Sequence, residues 1–130
     1  MGFIYCNPNP KDIKTGDCVV RAICIAENKS WEEIYLDLMA KCFELKEIPT
    51  ANEAWSKYLT SIGYKRHIVP DTCPDCYTVS DFAKDNPTGT YILATGMHTV
   101  TVKDGNYYDT WDSGDKAIIW YFDKETVDYE

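Results

Sequence analysis

The chain of 130 residues contains no apolar run near the ~18 residues that cross a bilayer, so a membrane-spanning protein is not expected. Positive charge is also short. Against 21 acidic residues stand 13 basic ones, and the formal net charge of -8 repels a phosphate backbone. The nearest approach to a basic patch, "YKRHIV" at Tyr64 to Val69, reads as a solvated strand edge. Neither nucleic acid nor membrane is therefore an expected partner. The opening "MGFIYCNPNP" lacks a basic segment, a long apolar stretch and a small-residue cleavage site. Cys6 stands where a myristoylation signal carries Ser or Thr, and a cytoplasmic location is expected. Repeats, linkers and low-complexity segments are missing, so residues 1–130 are expected to form one domain. Histidine is scarce: His67 and His98 are the only imidazoles available to any chemistry.

What the chain does have is cysteine. In a reducing compartment its six thiols are expected as free side chains, metal ligands or catalytic groups rather than as disulfides. Cys73 and Cys76 form a Cys-x-x-Cys pair, but the second pair needed for a tetrahedral zinc site is missing. A plain turn is expected there, with no metal and no cofactor. Cys24 and Cys42 fall on apolar helical faces and are expected in the core.

Hydrophobic periodicity orders the rest. Phe3 to Cys6 reads as a short strand, and the prolines and Thr-Gly-Asp turn of the next loop exclude regular structure up to Asp17. Val19, Ala22, Ile23 and Ala26 recur at helical spacing, with Asp17 as cap and Cys18 in the first turn. Ser30 and Glu33 propose a capping box for a second helix carrying Ile34, Leu38 and Cys42. Asn52 is expected to cap a third helix closed by Gly63, and Thr78 with Asp81 a fourth. Beyond Thr90 the pattern changes to β-branched and aromatic runs separated by Gly-Met, Asp-Gly and Ser-Gly-Asp turns. Helices first and a meander second predict an α+β domain, with the helices on one face of an antiparallel sheet. The acidic run Glu125 to Glu130 reads as a solvated tail.

Cys18 stands out because a thiolate in the first turn of a helix lies near unpaired N–H groups and the positive end of the helix dipole. A nucleophilic thiol also needs a base, and His98 opens the hairpin "HTVTVKDGNYYDTWD". A two-residue Asp104-Gly105 turn pairs Val102 with Tyr107 and puts His98, Asp109 and Trp111 on one face. A three-residue loop would instead turn Asp112 toward His98. A carboxylate behind an imidazole fixes its tautomer and stabilises the imidazolium.

The order Cys18, His98, Asp109 resembles the papain-like cysteine peptidase superfamily. Asp109-Thr110-Trp111 resembles the Asn-Ser-Trp of papain-type enzymes, and "GDCVVRAI" resembles the nucleophile helix of ovarian-tumour-type deubiquitinases. The small size is similar to that of compact bacterial papain-like peptidases. The resemblance implies a papain-like fold with the nucleophile helix first, a Cys-His-Asp triad of Cys18, His98 and Asp109, and Trp111 shielding the His–Asp contact. It also implies a thioester acyl-enzyme and a peptide or protein substrate. The chain departs from the papain pattern at two places: Val19 and Val20 follow Cys18, and Asp12 stands where papain carries its oxyanion Gln. Asn7 or Asn9, together with the Cys18 backbone N–H, is the replacement donor to test, with Asp17 at the cleft edge. A peptidase or isopeptidase is the leading expectation; a silent papain-like binding or inhibitor protein, and an acyltransferase or amidase using the same thiol, are the alternatives.

Overall fold

The computed structural model describes residues 2–124, so the acidic run from Glu125 lies outside the described residues. Its elements follow in the order β1 (Gly2–Tyr5), α1 (Cys18–Glu27), α2 (Trp31–Leu45), α3 (Asn52–Ser61), β2 (Tyr64–Ile68), α4 (Val79–Asp85), β3 (Thr90–Thr95), β4 (Thr99–Lys103), β5 (Asn106–Asp109) and β6 (Ile118–Lys124). Together they make an α+β structure of four helices and a six-stranded sheet in the order β1-β5-β4-β3-β6-β2. The sheet is mixed rather than antiparallel, because β1 joins the edge beside β5 in the parallel sense. A parallel partner needs a long crossover. Here the chain between β1 and β5 includes all four helices and supplies it.

The helices do not share one face. Along β3, Ile92 and Ala94 pack with α1, α2 and α3, around Ile23, Leu38, Trp55 and Leu59. Leu93, on the opposite face, packs with Val79 and Phe82 of α4 and with Val100, Val102 and Tyr107. The period-2 alternation that places side chains on both faces of a central strand explains the outcome. Strands β3 and β4 are buried almost throughout, which a sheet covered on one side would not require.

Capping follows local chemistry in part. The Thr78–Asp81 box closes in both directions. Ser30 Oγ accepts from the Glu33 N–H at 3.1 Å, but the return half is missing and Glu33 pairs with Lys29 instead. The cap of α3 is Ala51; Asn52 is the first helical residue, and its Oδ1 accepts from Trp55 Nε1 at 3.2 Å. The Asp104-Gly105 turn takes positive φ at both residues, 50° and 81°, as a type I′ turn demands. It fixes the register Val102↔Tyr107 and Thr101↔Tyr108.

Helix α1 is fastened across β4 by side chains on its carbonyls. Thr101, fully buried, donates to Ala22 O at 2.5 Å, and Lys103 Nζ to Ile25 O at 3.2 Å. The N-terminus of α1 is thereby held beside the β3–β4 turn.

Cys73 and Cys76 correct the expectation of free thiols: they are joined in a disulfide, with Cα atoms 4.2 Å apart. The turn closes the distance. Thr72 Oγ1 donates to Asp75 O at 2.6 Å, and Asp71 accepts from the Cys73 N–H, folding the four-residue span back on itself. Cys6, Cys18, Cys24 and Cys42 are free, the last two buried in the core. No described helix is long and apolar enough to cross a membrane.

Candidate active site

Cys18 is the first residue of α1, and the residue before it departs from a normal cap. Asp17 occupies the cap position but its side chain makes no capping hydrogen bond. The carboxylate turns inward: Oδ2 accepts from Asn9 Nδ2 at 3.2 Å and from Trp31 Nε1 at 2.9 Å, while Oδ1 pairs with Arg21. The N–H groups of the first turn are left without a capping side chain, and their positive end lies beside the half-buried Cys18 sulfur.

His98 is delivered by the two-residue Gly96-Met97 turn, closed by the Thr95 N–H on His98 O at 2.8 Å. Its ring is hydrogen-bonded to the Cys18 thiol. On its other side, Nε2 lies 2.5 Å from Asp109 Oδ2, which leaves Nδ1 as the nitrogen for the sulfur. Asp109 sits at the end of β5 and is 3% exposed. The same Oδ2 accepts from Ser113 Oγ at 2.7 Å, and Oδ1 accepts from the Thr110 N–H at 2.8 Å and faces Arg21 Nη2 at 3.6 Å. Both carboxylate oxygens are thus fixed, and the carboxylate is held toward the ring. Trp111 packs on His98 with ring centroids 4.7 Å apart, covering the imidazole from one side.

The electrostatics follow from these contacts. Burial raises the Cys18 thiol, but the hydrogen bond from His98, the backbone N–H of Thr99 and the charges of His98 and Arg21 outweigh it, and the net shift is downward. Burial opposes charge on His98 as well. The hydrogen bonds to Asp109 and Cys18 prevail, and the imidazolium is held up to about 9. Between the two transitions the pair is a thiolate and an imidazolium, the reactive form of a catalytic thiol. By contrast burial raises the thiols of Cys6 and Cys24, the latter to about 12, so neither is a competing nucleophile near neutrality.

The remaining site expectations divide. Asp112 does not face His98: its Oδ1 accepts from Tyr107 Oη at 2.6 Å and from the Gly114 N–H at 3.0 Å, and that phenol holds its carboxyl low. The two-residue turn decides the parity against it. Asn7 and Asn9 are not positioned as oxyanion donors. Asn7 Nδ2 serves Asp12 and Ile13 O, and Asn9 is bound to Asp17, so both amides brace the loop. Asp17 does line the cleft, though as an anchor for Arg21 and Trp31.

Two participants were not foreseen. Ser113 is fully buried against Asp109. Arg21, 7% exposed, lies between Asp17 and Asp109 and links the residue before the nucleophile to the carboxylate behind the base. The signal was present in the sequence: Asp17 and Arg21 stand at i, i+4, and Arg21 interrupts the apolar run from Val19 to Ala26. A charged residue inside a buried stripe needs a partner.

Two openings meet at the sulfur. One, shallow and polar, is edged by Lys14, Arg21, Thr110 and Trp111. The other is a cavity of about 810 Å³ that runs beneath α2 and α3 and carries mostly apolar surface. His67, the second histidine, lies on edge strand β2, stacked on Tyr121 and 2.6 Å from Asp123, and borders neither opening. Comparison of the chain with protein-family models, with curated proteins and with solved structures finds no match.

Proposed function

We propose that this chain is a cysteine-dependent hydrolase, a peptidase or isopeptidase of papain-like type, that acts through a thioester on Cys18. The observation that carries the reading is the continuous contact from the Cys18 thiol through the His98 ring to the Asp109 carboxylate. A strand histidine kept for packing needs neither a thiol on one nitrogen nor a buried, doubly anchored carboxylate on the other.

In this reading the thiolate of Cys18 attacks the substrate carbonyl. The Cys18 backbone N–H at the uncapped start of α1 receives the developing oxyanion. The His98 imidazolium gives its proton to the leaving amine, and the amine departs with the C–N bond electrons. Neutral His98 then takes a proton from water, which attacks the thioester; the acid leaves and the thiolate returns. Asp109 keeps the ring aligned and balances its charge, and Trp111 keeps water from that contact.

The test is covalent capture. A peptide or ubiquitin-like chain ending in a thiol-reactive group should add to Cys18, as read by peptide mass spectrometry, and capture should be abolished in Cys18→Ala and weakened in Asp109→Ala. Absence of capture by every probe would favour a papain-like binding or inhibitor protein. One observation points that way: neither Asn7 nor Asn9 offers a second side-chain donor to the oxyanion. Transfer of the acyl group to an added amine in place of water would identify an acyltransferase or amidase.

A further inference from the structure

The cavity beneath α2 and α3 begins at Cys18 and His98 and is walled on one side by Trp31, Tyr35, Leu38 and Met39. These four fall at i, i+4, i+7 and i+8 on α2, a single helical face. Trp31 and Tyr35 stack with centroids 4.9 Å apart, and Trp55 of α3 closes the floor. At about 810 Å³ the space falls within the ~300–1,000 Å³ that buries a drug-sized ligand, more than one side chain needs. Its charged lining is limited to Asp17 and His98, and both are engaged, Asp17 by Arg21, Asn9 and Trp31, His98 by Asp109. A charged substrate group entering here would find no counter-ion and would lose its water.

The mouth has a different character. Gly16, two residues before the nucleophile, and Gly96, two before the base, stand on opposite lips. A Cβ at either would meet nothing within 4 Å. Among the described residues neither glycine has a backbone hydrogen-bond partner. The lips therefore present bare peptide groups, the donors and acceptors that an extended main chain pairs with. Met97, 98% exposed at the tip of the β3–β4 turn, stands beside them as an apolar edge.

We infer that the cavity is the specificity site of the proposed hydrolase and that its occupant is an extended polypeptide carrying consecutive large apolar side chains, held by its main chain at Gly16 and Gly96. This rests on the reading of Cys18 as nucleophile. An aliphatic acyl chain would fill the same apolar space but has no main chain for the two lips, and it is the outcome the test must separate.

Three vinyl sulfones, each reacting irreversibly with a thiolate, supply the arms: one bearing leucine, phenylalanine and glycine, one with lysine and aspartate in place of the first two, and a dodecanoyl-glycine. The second-order rate of Cys18 modification is read for each and divided by the iodoacetamide rate, which reports the thiolate without needing the cavity. The apolar peptide should exceed the charged one by about tenfold to a hundredfold, the range an apolar pocket delivers. Met39→Glu, at a half-exposed wall position, should erase most of that preference. Equal rates for the two peptides, or a faster dodecanoyl probe, would overturn the inference while leaving the nucleophile reading intact. A Cys18 that resists iodoacetamide as well would overturn both.

Discussion

Arg21 provides the sharpest quantitative test of the site. Its guanidinium and both carboxylates it serves are more than nine-tenths buried, so solvent screens little of the interaction. At an effective dielectric of ~20, opposite charges ~4 Å apart attract by about 4 kcal/mol, and removing one partner of a buried pair typically destabilises by ~3–5 kcal/mol. Arg21→Gln leaves Asp17 and Asp109 without their cation. The loss should appear as a fall in Tm of about 10 °C or more for a domain of this size. Asp17→Asn combined with Arg21→Gln should restore part of it, since the two changes act on one pair.

Stability alone would not separate a site residue from a structural one, and pH does. Arg21 favours the Cys18 thiolate, and the same charge opposes the His98 imidazolium. The other ionisable groups around the cluster are Asp17, Asp109, Lys14 at the cleft edge and Cys6, whose N–H donates to Asp109 O. Removing the cation should move both transitions to higher pH. The assay is the rate of iodoacetamide alkylation of Cys18 as a function of pH, read by peptide mass spectrometry on protein kept below its unfolding temperature. In Arg21→Gln the limb on which the thiolate forms should shift alkaline; in Arg21→Lys, which keeps the charge and loses the fork, it should stay close to wild type despite lower stability. If both variants lose stability equally and neither moves the limb, Arg21 only supports the fold and the electrostatic argument is wrong.

Four further outcomes are expected. His98→Ala should slow alkylation of Cys18 near pH 6 by about tenfold or more, because the thiol then keeps the upward push of burial without the imidazolium that offsets it. The stability that His98 contributes through its raised pKa is present in full below about 6.5 and is lost as pH climbs through about 9, so the wild-type advantage over His98→Ala in denaturant melts should shrink across that window. Asp109→Asn should reduce probe capture strongly and Asp112→Asn should not, since Asp112 is tied to Tyr107 and Gly114 away from the ring; equal effects would refute the register. Alkylation in denaturant should label four cysteines without reductant and six after reduction, and six in both would dissolve the Cys73–Cys76 bridge.

Much of the arrangement was readable because it depends on local rules. The Asp104-Gly105 turn sets a parity, and parity alone places Asp109 rather than Asp112 behind His98. The period of Val19, Ala22 and Ile23 places Cys18 at a helix start. What could not be read depends on partners distant in sequence. Strand β1 joins in parallel across more than a hundred residues, and no local signal announces such a pairing. The fourth helix resembles the others in its capping and apolar content; its place on the opposite face follows from which side of β3 and β4 it meets, which periodicity does not encode. The disulfide was missed because compartment was used as a prior where turn geometry decides.

Asp17 shows why the site departs from local rules. By sequence it is a good cap, and capping with its carboxylate would contribute about 1 kcal/mol to α1. Instead that carboxylate accepts hydrogen bonds from Asn9 and Trp31 and pairs with Arg21, a set of interactions that buries a charge only because each oxygen is satisfied. The exchange has a consequence for chemistry. A capping carboxylate would occupy the N–H groups of the first turn and put negative charge beside Cys18, raising the thiol. Turned inward and neutralised by Arg21, the same carboxylate leaves those N–H groups available to a developing oxyanion, and leaves Arg21 to lower the thiol. Asp17→Ser separates these effects, because serine can cap the helix but cannot hold Arg21. It should keep α1 helical by circular dichroism and yet lower the rate of probe capture at Cys18. A rate equal to wild type would mean that the inward turn of Asp17 serves packing alone.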